Sequence, residues 1–265
     1  MKWATLRLAA MAAVTAVSSQ SAMAQPVDLS DTWKFTVGAG VVSRAKYPGA
    51  SDTRVSALPI LGVSYGRFVF GSIPSAGAGL GVAAYLVQSE RWRAGVGVGA
   101  GLGSLRKESD SATLKGMGDI KASTSASAFG SYNEAGVAVK AAVITDIGGK
   151  HQGTHATLDL EGKYRVNDPL MLTAGPGVTW GNATYTQTLF GVDGTQSATS
   201  GRAIYSTKSG ASSARFMMAA NYRITPQWSL GARVVAETLQ GSAAYSPLTQ
   251  KKSQTTVGLF TNYRF

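Results

Sequence analysis

Residues 154–165 constrain the fold more than any other stretch. Ala156, Leu158, Leu160, Gly162 and Tyr164 alternate there with Thr157, Asp159, Glu161, Lys163 and Arg165. Successive side chains of an extended chain point to opposite faces, so this segment has one apolar face and one polar, mostly charged face. A soluble sandwich has no use for that combination, whereas a strand between lipid and a polar lumen requires it. Similar alternation recurs in twelve segments, near 32–43, 54–63, 66–73, 77–87, 91–104, 118–132, 135–146, 154–165, 169–182, 212–223, 227–240 and 253–265. Each is bounded by Gly, Pro, Asn, Asp or Ser. Leu170, Leu172, Ala174, Pro176, Val178 and Trp180 share one face of the ninth. The fifth sets Trp92, Ala94, Val96, Val98, Ala100 and Leu102 against Arg93 and a file of glycines at 95, 97, 99, 101 and 103.

The connections alternate in length as well. Short ones fall at 64–66, 88–90, 133–134, 166–168 and 224–226, and longer ones near 44–53, 105–117, 147–153, 183–211 and 241–252. Only the 74–76 connection is too short for its side. The expectation is an all-β fold: a single antiparallel transmembrane β-barrel of about twelve strands, ten being the alternative count, with short periplasmic turns and longer extracellular loops. No linker or composition shift divides residues 25–265, which are read as one barrel domain.

The chain's ends carry export signals. Lys2 and Arg7 precede an apolar run from Leu8 to Val17, and small residues lead to Ala24, the order of a secretory signal peptide cleaved after residue 24. At the other end Val257, Leu259, Thr261, Tyr263 and Phe265 alternate with Thr256, Gly258, Asn262 and Arg264, Phe260 being the one misfit. This resembles the closing strand of bacterial outer-membrane barrels. Tyr263 and Phe265 are then the assembly signal read by the barrel-insertion machinery, and the location is the bacterial outer membrane.

A chain without cysteine has no disulfide, thiolate chemistry or cysteine metal site. The formal net charge is +11, and removing the signal peptide with its two cations leaves about +9, which implies an anionic surface nearby. Lipopolysaccharide phosphate fits an exported barrel; nucleic acid does not. The expected contacts are loop cations: Lys150, Arg202, Lys208, Lys251 and Lys252, along with Arg106, Lys107 and Lys115. Lys121, Lys140, Asp159, Glu161, Lys163, Arg165, Arg215, Arg223, Arg233 and Glu237 fall instead on lumen faces. There they form either a salt-bridged plug or the lining of a weakly anion-preferring pore.

No catalytic, cofactor or metal set emerges. His151, His155 and Asp159 are spaced by four, which in a strand separates neighbours by about 13 Å, too far to share an ion. A hydrolase would need His155 beside a serine such as Ser125 or Ser127, with no recognised motif in support. Gly79-Leu80-Gly81-Val82-Ala83-Ala84 matches a dinucleotide fingerprint but continues as a strand. Asn182-Ala183-Thr184 matches a glycosylation acceptor without meaning in a bacterial protein.

Several segments together resemble the MipA/OmpV family, the MltA-interacting proteins of the outer membrane. They are Gly38-Ala39-Gly40, Tyr47-Pro48-Gly49-Ala50-Ser51-Asp52 with Arg54, Leu58-Pro59 and Tyr65-Gly66-Arg67-Phe68. Leu114-Lys115-Gly116-Met117-Gly118-Asp119-Ile120, Gly148-Gly149-Lys150-His151 and Gly175-Pro176-Gly177-Val178-Thr179-Trp180 follow. Tyr185 to Val192, Trp228-Ser229-Leu230, Ser246-Pro247 and Asn262-Tyr263-Arg264-Phe265 complete the set. Tyr245 departs from it, an acidic residue being expected before Ser246. The resemblance implies an outer-membrane scaffold that brings a lytic murein transglycosylase and a murein synthase together in peptidoglycan synthesis. A narrow solute channel and an outer-membrane hydrolase are the alternatives.

Overall fold

The computed structural model describes residues 32–73, 78–101 and 103–265. The expected signal peptide over residues 1–24, the 25–30 lead, the 74–76 connection and Leu102 lie outside them. In chain order the strands are β1 (Lys34–Ala45), β2 (Thr53–Tyr65), β3 (Phe68–Ile73), β4 (Ala78–Gln88), β5 (Trp92–Ala100), β6 (Ser104–Arg106) and β7 (Ile120–Lys121). They continue with β8 (Thr124–Glu134), β9 (Val137–Asp146), β10 (Thr154–Arg165), β11 (Leu170–Gly181), β12 (Gly210–Arg223), β13 (Trp228–Leu239) and β14 (Ser253–Arg264). Twelve of them close a barrel in which every neighbour is antiparallel and β1 pairs with both β2 and β14. The expected twelve strands are those observed. β6 and β7 form a separate two-stranded sheet in the loop after β5.

The barrel turns the usual burial pattern inside out. Val55 is 69% exposed on the outer surface, Leu259 58% and Leu158 50%, while the inward Glu161 is 1% exposed. Each such apolar side chain gains about 1.5–3 kcal/mol only where lipid replaces water around it. At the short-turn end the wall carries aromatic pairs: Trp33 with Tyr65 at 4.8 Å between ring centroids, Trp92 with Tyr132 at 4.7 Å, and Trp228 with Tyr263 at 5.0 Å. These amphipathic rings form the girdle expected at a membrane interface.

Phe260 is no misfit. It faces the lumen, its register partners are Gly40 and Gly231, and its ring lies over Gly40 and Gly258, where an added Cβ would sit 2.4 and 2.6 Å from ring carbons. The glycine file of β5 is used the same way, with Phe129 from β8 covering Gly95 and meeting Tyr85 edge-on at 5.6 Å. Of the two roles open to that file, room for bulky neighbours is the one seen at Gly95. The file is also shorter than expected, since β5 ends at Ala100 and Gly103 has φ +86°.

β8 begins at Thr124, not near 118, because the residues before it fold upon themselves. The Glu108 carboxylate accepts from Gly116 and Gly118 N–H at 2.8 and 3.2 Å, and Asp119 accepts from Glu108 N–H at 2.8 Å. Side-chain acceptors of this kind compete with a sheet ladder for backbone donors. The turn expected at Asn133-Glu134 lies at Ala135-Gly136, both with positive φ (47° and 82°), the geometry of a two-residue hairpin turn.

Candidate functional site

A register row runs along the inner wall and holds four interior charges. Lys140, Asp159, Gly177, Arg215, Glu237 and Gln254 are successive partners on β9 to β14. Arg215 Nε and Nη2 both donate to Asp159 Oδ1, at 3.0 and 2.6 Å, across the intervening β11, and Nη1 donates to Thr179 Oγ1 at 2.7 Å. The bridge passes over Gly177, where a Cβ would stand 2.1 Å from Asp159 Oδ1 and 2.9 Å from Arg215 Nε. Beside it Lys140 Nζ meets Glu161 Oε2 at 2.7 Å, and Arg233 of β13 lies within the fields of Glu161 and Asp159. Asp159 with Arg215 and Glu161 with Lys140 thus pair along the inner wall, which low local dielectric makes worthwhile only as a connected set.

The loop end is closed by a folded lid. α1 (Ala183–Phe190) is capped by Asn182, whose side chain accepts from Tyr185 N–H at 2.8 Å, and α2 (Gly194–Ser200) by an Asp193–Gln196 capping box. α3 (Gly241–Ala244) packs beside α1. Tyr47, Ala50, Leu114, Met117, Val192 and Leu248, drawn from four loops, form one buried apolar cluster; Leu189, Phe190, Leu239, Ala243 and Ala244 form another. Arg202 ties loops together by donating to the carbonyls of Thr113 and Pro247 at 2.9 and 3.4 Å. Arg106, 1% exposed, donates to the Leu189 carbonyl at 3.0 Å in the last turn of α1, where a cation is favoured. Burial lowers its guanidinium to about 10, opposed by Tyr47 and Asp119, so it stays charged at neutral pH. Burial also pushes the Tyr185 phenol above its ordinary range.

The expected site residues divide accordingly. Lys140, Asp159, Glu161, Arg215 and Arg233 meet in the lumen, Glu237 stands opposite Arg215, and Lys163 Nζ donates to Asn133 Oδ1 at 3.1 Å. Arg165 and Arg223 are exposed at the short-turn rim, where Arg223 donates to the Asp168 carbonyl at 3.1 Å. Lys121 is corrected: it belongs to β7 in the loop sheet, because the wall starts three residues later. Of the loop cations, Lys115, Lys150, Lys208, Lys251 and Lys252 are exposed, whereas Arg106 and Arg202 are consumed by the lid. Tyr263 and Phe265 stand in the girdle with their rings 4.7 Å apart. Tyr245, the departure from the family pattern, is 73% exposed and has Lys252 Nζ 4.2 Å from its ring centre.

His155 faces inward and stacks on Tyr185 at 4.6 Å, while Ser127 Oγ donates to the Gly97 carbonyl at 3.3 Å from a strand two places away. That separation is about 10 Å of sheet, so the hydrolase pair is not assembled. Among the described residues no cluster of three or more potential ligands could hold a metal ion.

Outward apolar faces, an inward charge network and full closure define a membrane-spanning β-barrel. The family model described as "MltA-interacting protein MipA" matches residues 37–265, and the chain belongs to that family. No curated protein matches the chain. Similar solved structures include the outer membrane channel DcaP of Acinetobacter baumannii, with 10% identity, 88% of this chain and 96% of that one covered, and a TM-score of 0.42. An outer membrane channel from Pseudomonas putida F1 has 11% identity, 91% and 99% coverage and a TM-score of 0.44. A bacterial polysaccharide outer membrane secretin has 10% identity, 89% and 99% coverage and a TM-score of 0.46. Likenesses this distant say nothing of function.

Proposed function

We propose that this barrel sits in the outer membrane with its short turns in the periplasm and its lid outside, and acts as an interaction protein for murein-remodelling enzymes rather than as a pore. The observation that carries this reading is the filling of both levels: two apolar clusters pack the loops together at one end, and ion pairs line the inner wall from β9 to β12 beneath them. A barrel built this way offers partners a surface and offers solutes little passage. The family's name supplies the partner class, a lytic murein transglycosylase, with a murein synthase as the second enzyme brought alongside. The short-turn rim is the periplasmic surface available to them, and a stable interface buries about 1,200 Å² or more.

Planar-bilayer conductance and a membrane-fraction pull-down on the same purified protein test the reading together. Negligible conductance with recovery of the transglycosylase is expected. Steady ion-selective conductance without any recovered murein enzyme would replace it with the channel reading.

A further inference from the structure

The periplasm-side half of the lumen holds a second, unassigned cluster. β4 keeps Gly81, Ala83 and Tyr85 inward, so simple alternation would turn Val87 in and Gln88 out. A register shift between Tyr85 and Val87 prevents this: Leu86 and Val87, 63% and 48% exposed, both face outward, and Gln88 becomes the direct partner of the inward Arg93. Bulges of this kind re-aim a side chain and commonly lie beside functional sites. What is re-aimed here is an amide whose Nε2 and Oε1 are both buried without a hydrogen-bond partner. Leaving such groups unmade costs free energy, and the cost calls for an explanation.

The row continues from Gln88 and Arg93 to Ser131 and Lys140. Lys140 is neutralised by Glu161, but none of the ion pairs among the described residues engages Arg93 or Lys163. These two cations lie within each other's field, and Lys163 spends one donor on Asn133. The nearby Glu134 pairs with Arg91 and Tyr132 at the rim. The acid in the field of Lys163 is Glu161, which is already bound to Lys140, so two like charges, an unmet amide and a hydroxyl form the donor set that an oxyanion completes.

We infer that Gln88, Arg93, Ser131, Asn133 and Lys163 form a binding site for the carboxylate or phosphate group of a solute entering from the short-turn end. Because the lid closes the other end, the site is a blind cup and not a station on a through path. The inference goes beyond the partner role proposed above and does not depend on it.

The test uses the detergent-folded full barrel and a fluorescein-labelled hexaglutamate probe at low salt, with heat-modifiability on gels confirming folding. Arg93→Gln and Lys163→Gln, which relieve repulsion and so fold, should each weaken binding about tenfold. Gln88→Met should weaken it as well, whereas the lid variant Lys251→Gln should not. Competition by inorganic phosphate but not acetate assigns the site to phosphate; the reverse assigns it to carboxylate. Equal affinity in wild type and all three site variants, or loss only in Lys251→Gln, overturns the proposal.

Discussion

Glycine is where single residues decide this lumen. Gly177 has no conformational reason to be glycine; it is one because the Asp159–Arg215 bridge occupies the place of its side chain. Gly177→Ala is therefore expected to break a buried ion pair and lower stability by about 3 kcal/mol, read as a shift in the urea midpoint of refolding in detergent. A midpoint equal to wild type would show that the bridge adapts. Phe260 and Phe265 make the complementary comparison. Phe260→Ala uncovers Gly40 and Gly258 and should cost about 3 kcal/mol while leaving insertion in cells intact. Deleting Phe265 should deplete the protein from the outer membrane and leave refolding in detergent nearly unchanged. If both changes lowered refolding yield alike, Phe265 would not be an assembly signal.

Among the elements, the strands were legible and the loops were not, for one physical reason. Period two is forced by a wall with lipid outside and charge inside, so residues 154–165 announce β10 without help from the rest of the chain. The lid has no such periodicity. Its helices are short, its apolar contacts join four loops, and its cap at Asn182 resembles a glycosylation acceptor when read alone. Phe260 looked misplaced because alternation sees one strand, whereas its partners are glycines on two neighbours. The same limit hid the Asp159–Arg215 bridge: the sequence assigned both residues to the lumen but could not set the register that aligns them over Gly177. A test at this scale removes α2 and the 193–204 segment that holds it. Loss of the Gln196, Thr199 and Arg202 contacts to Met117, Gly116 and Thr113 should raise single-channel conductance well above wild type and expose the 107–119 loop to protease. Unchanged conductance would place the whole seal in the charge network below.

For the whole molecule, orientation is the first thing to establish, and the absence of cysteine makes it direct. Lys150→Cys on the 147–153 loop should react with a membrane-impermeant maleimide on intact cells. Asp168→Cys in a short turn should react only after the outer membrane is opened. The opposite pattern would invert the topology and with it the proposed partner surface.

The lid also joins the chain's first and last strands. Tyr47, just beyond β1, donates its hydroxyl to the Leu248 carbonyl and to Gln250 Oε1 ahead of β14, across 201 and 203 positions of sequence. Gln250 in turn accepts from Ser51 N–H at 3.1 Å, and Gln254 donates to the Ala50 carbonyl at 2.9 Å. These contacts straddle the seam where β1 meets β14, the pairing with the greatest loop-closure entropy and so among the slowest to form. The apolar cluster around Tyr47 is then a clasp in time as well as space. It forms when the two edges of the sheet meet, and an unclasped sheet would leave those edges open to pairing with another chain.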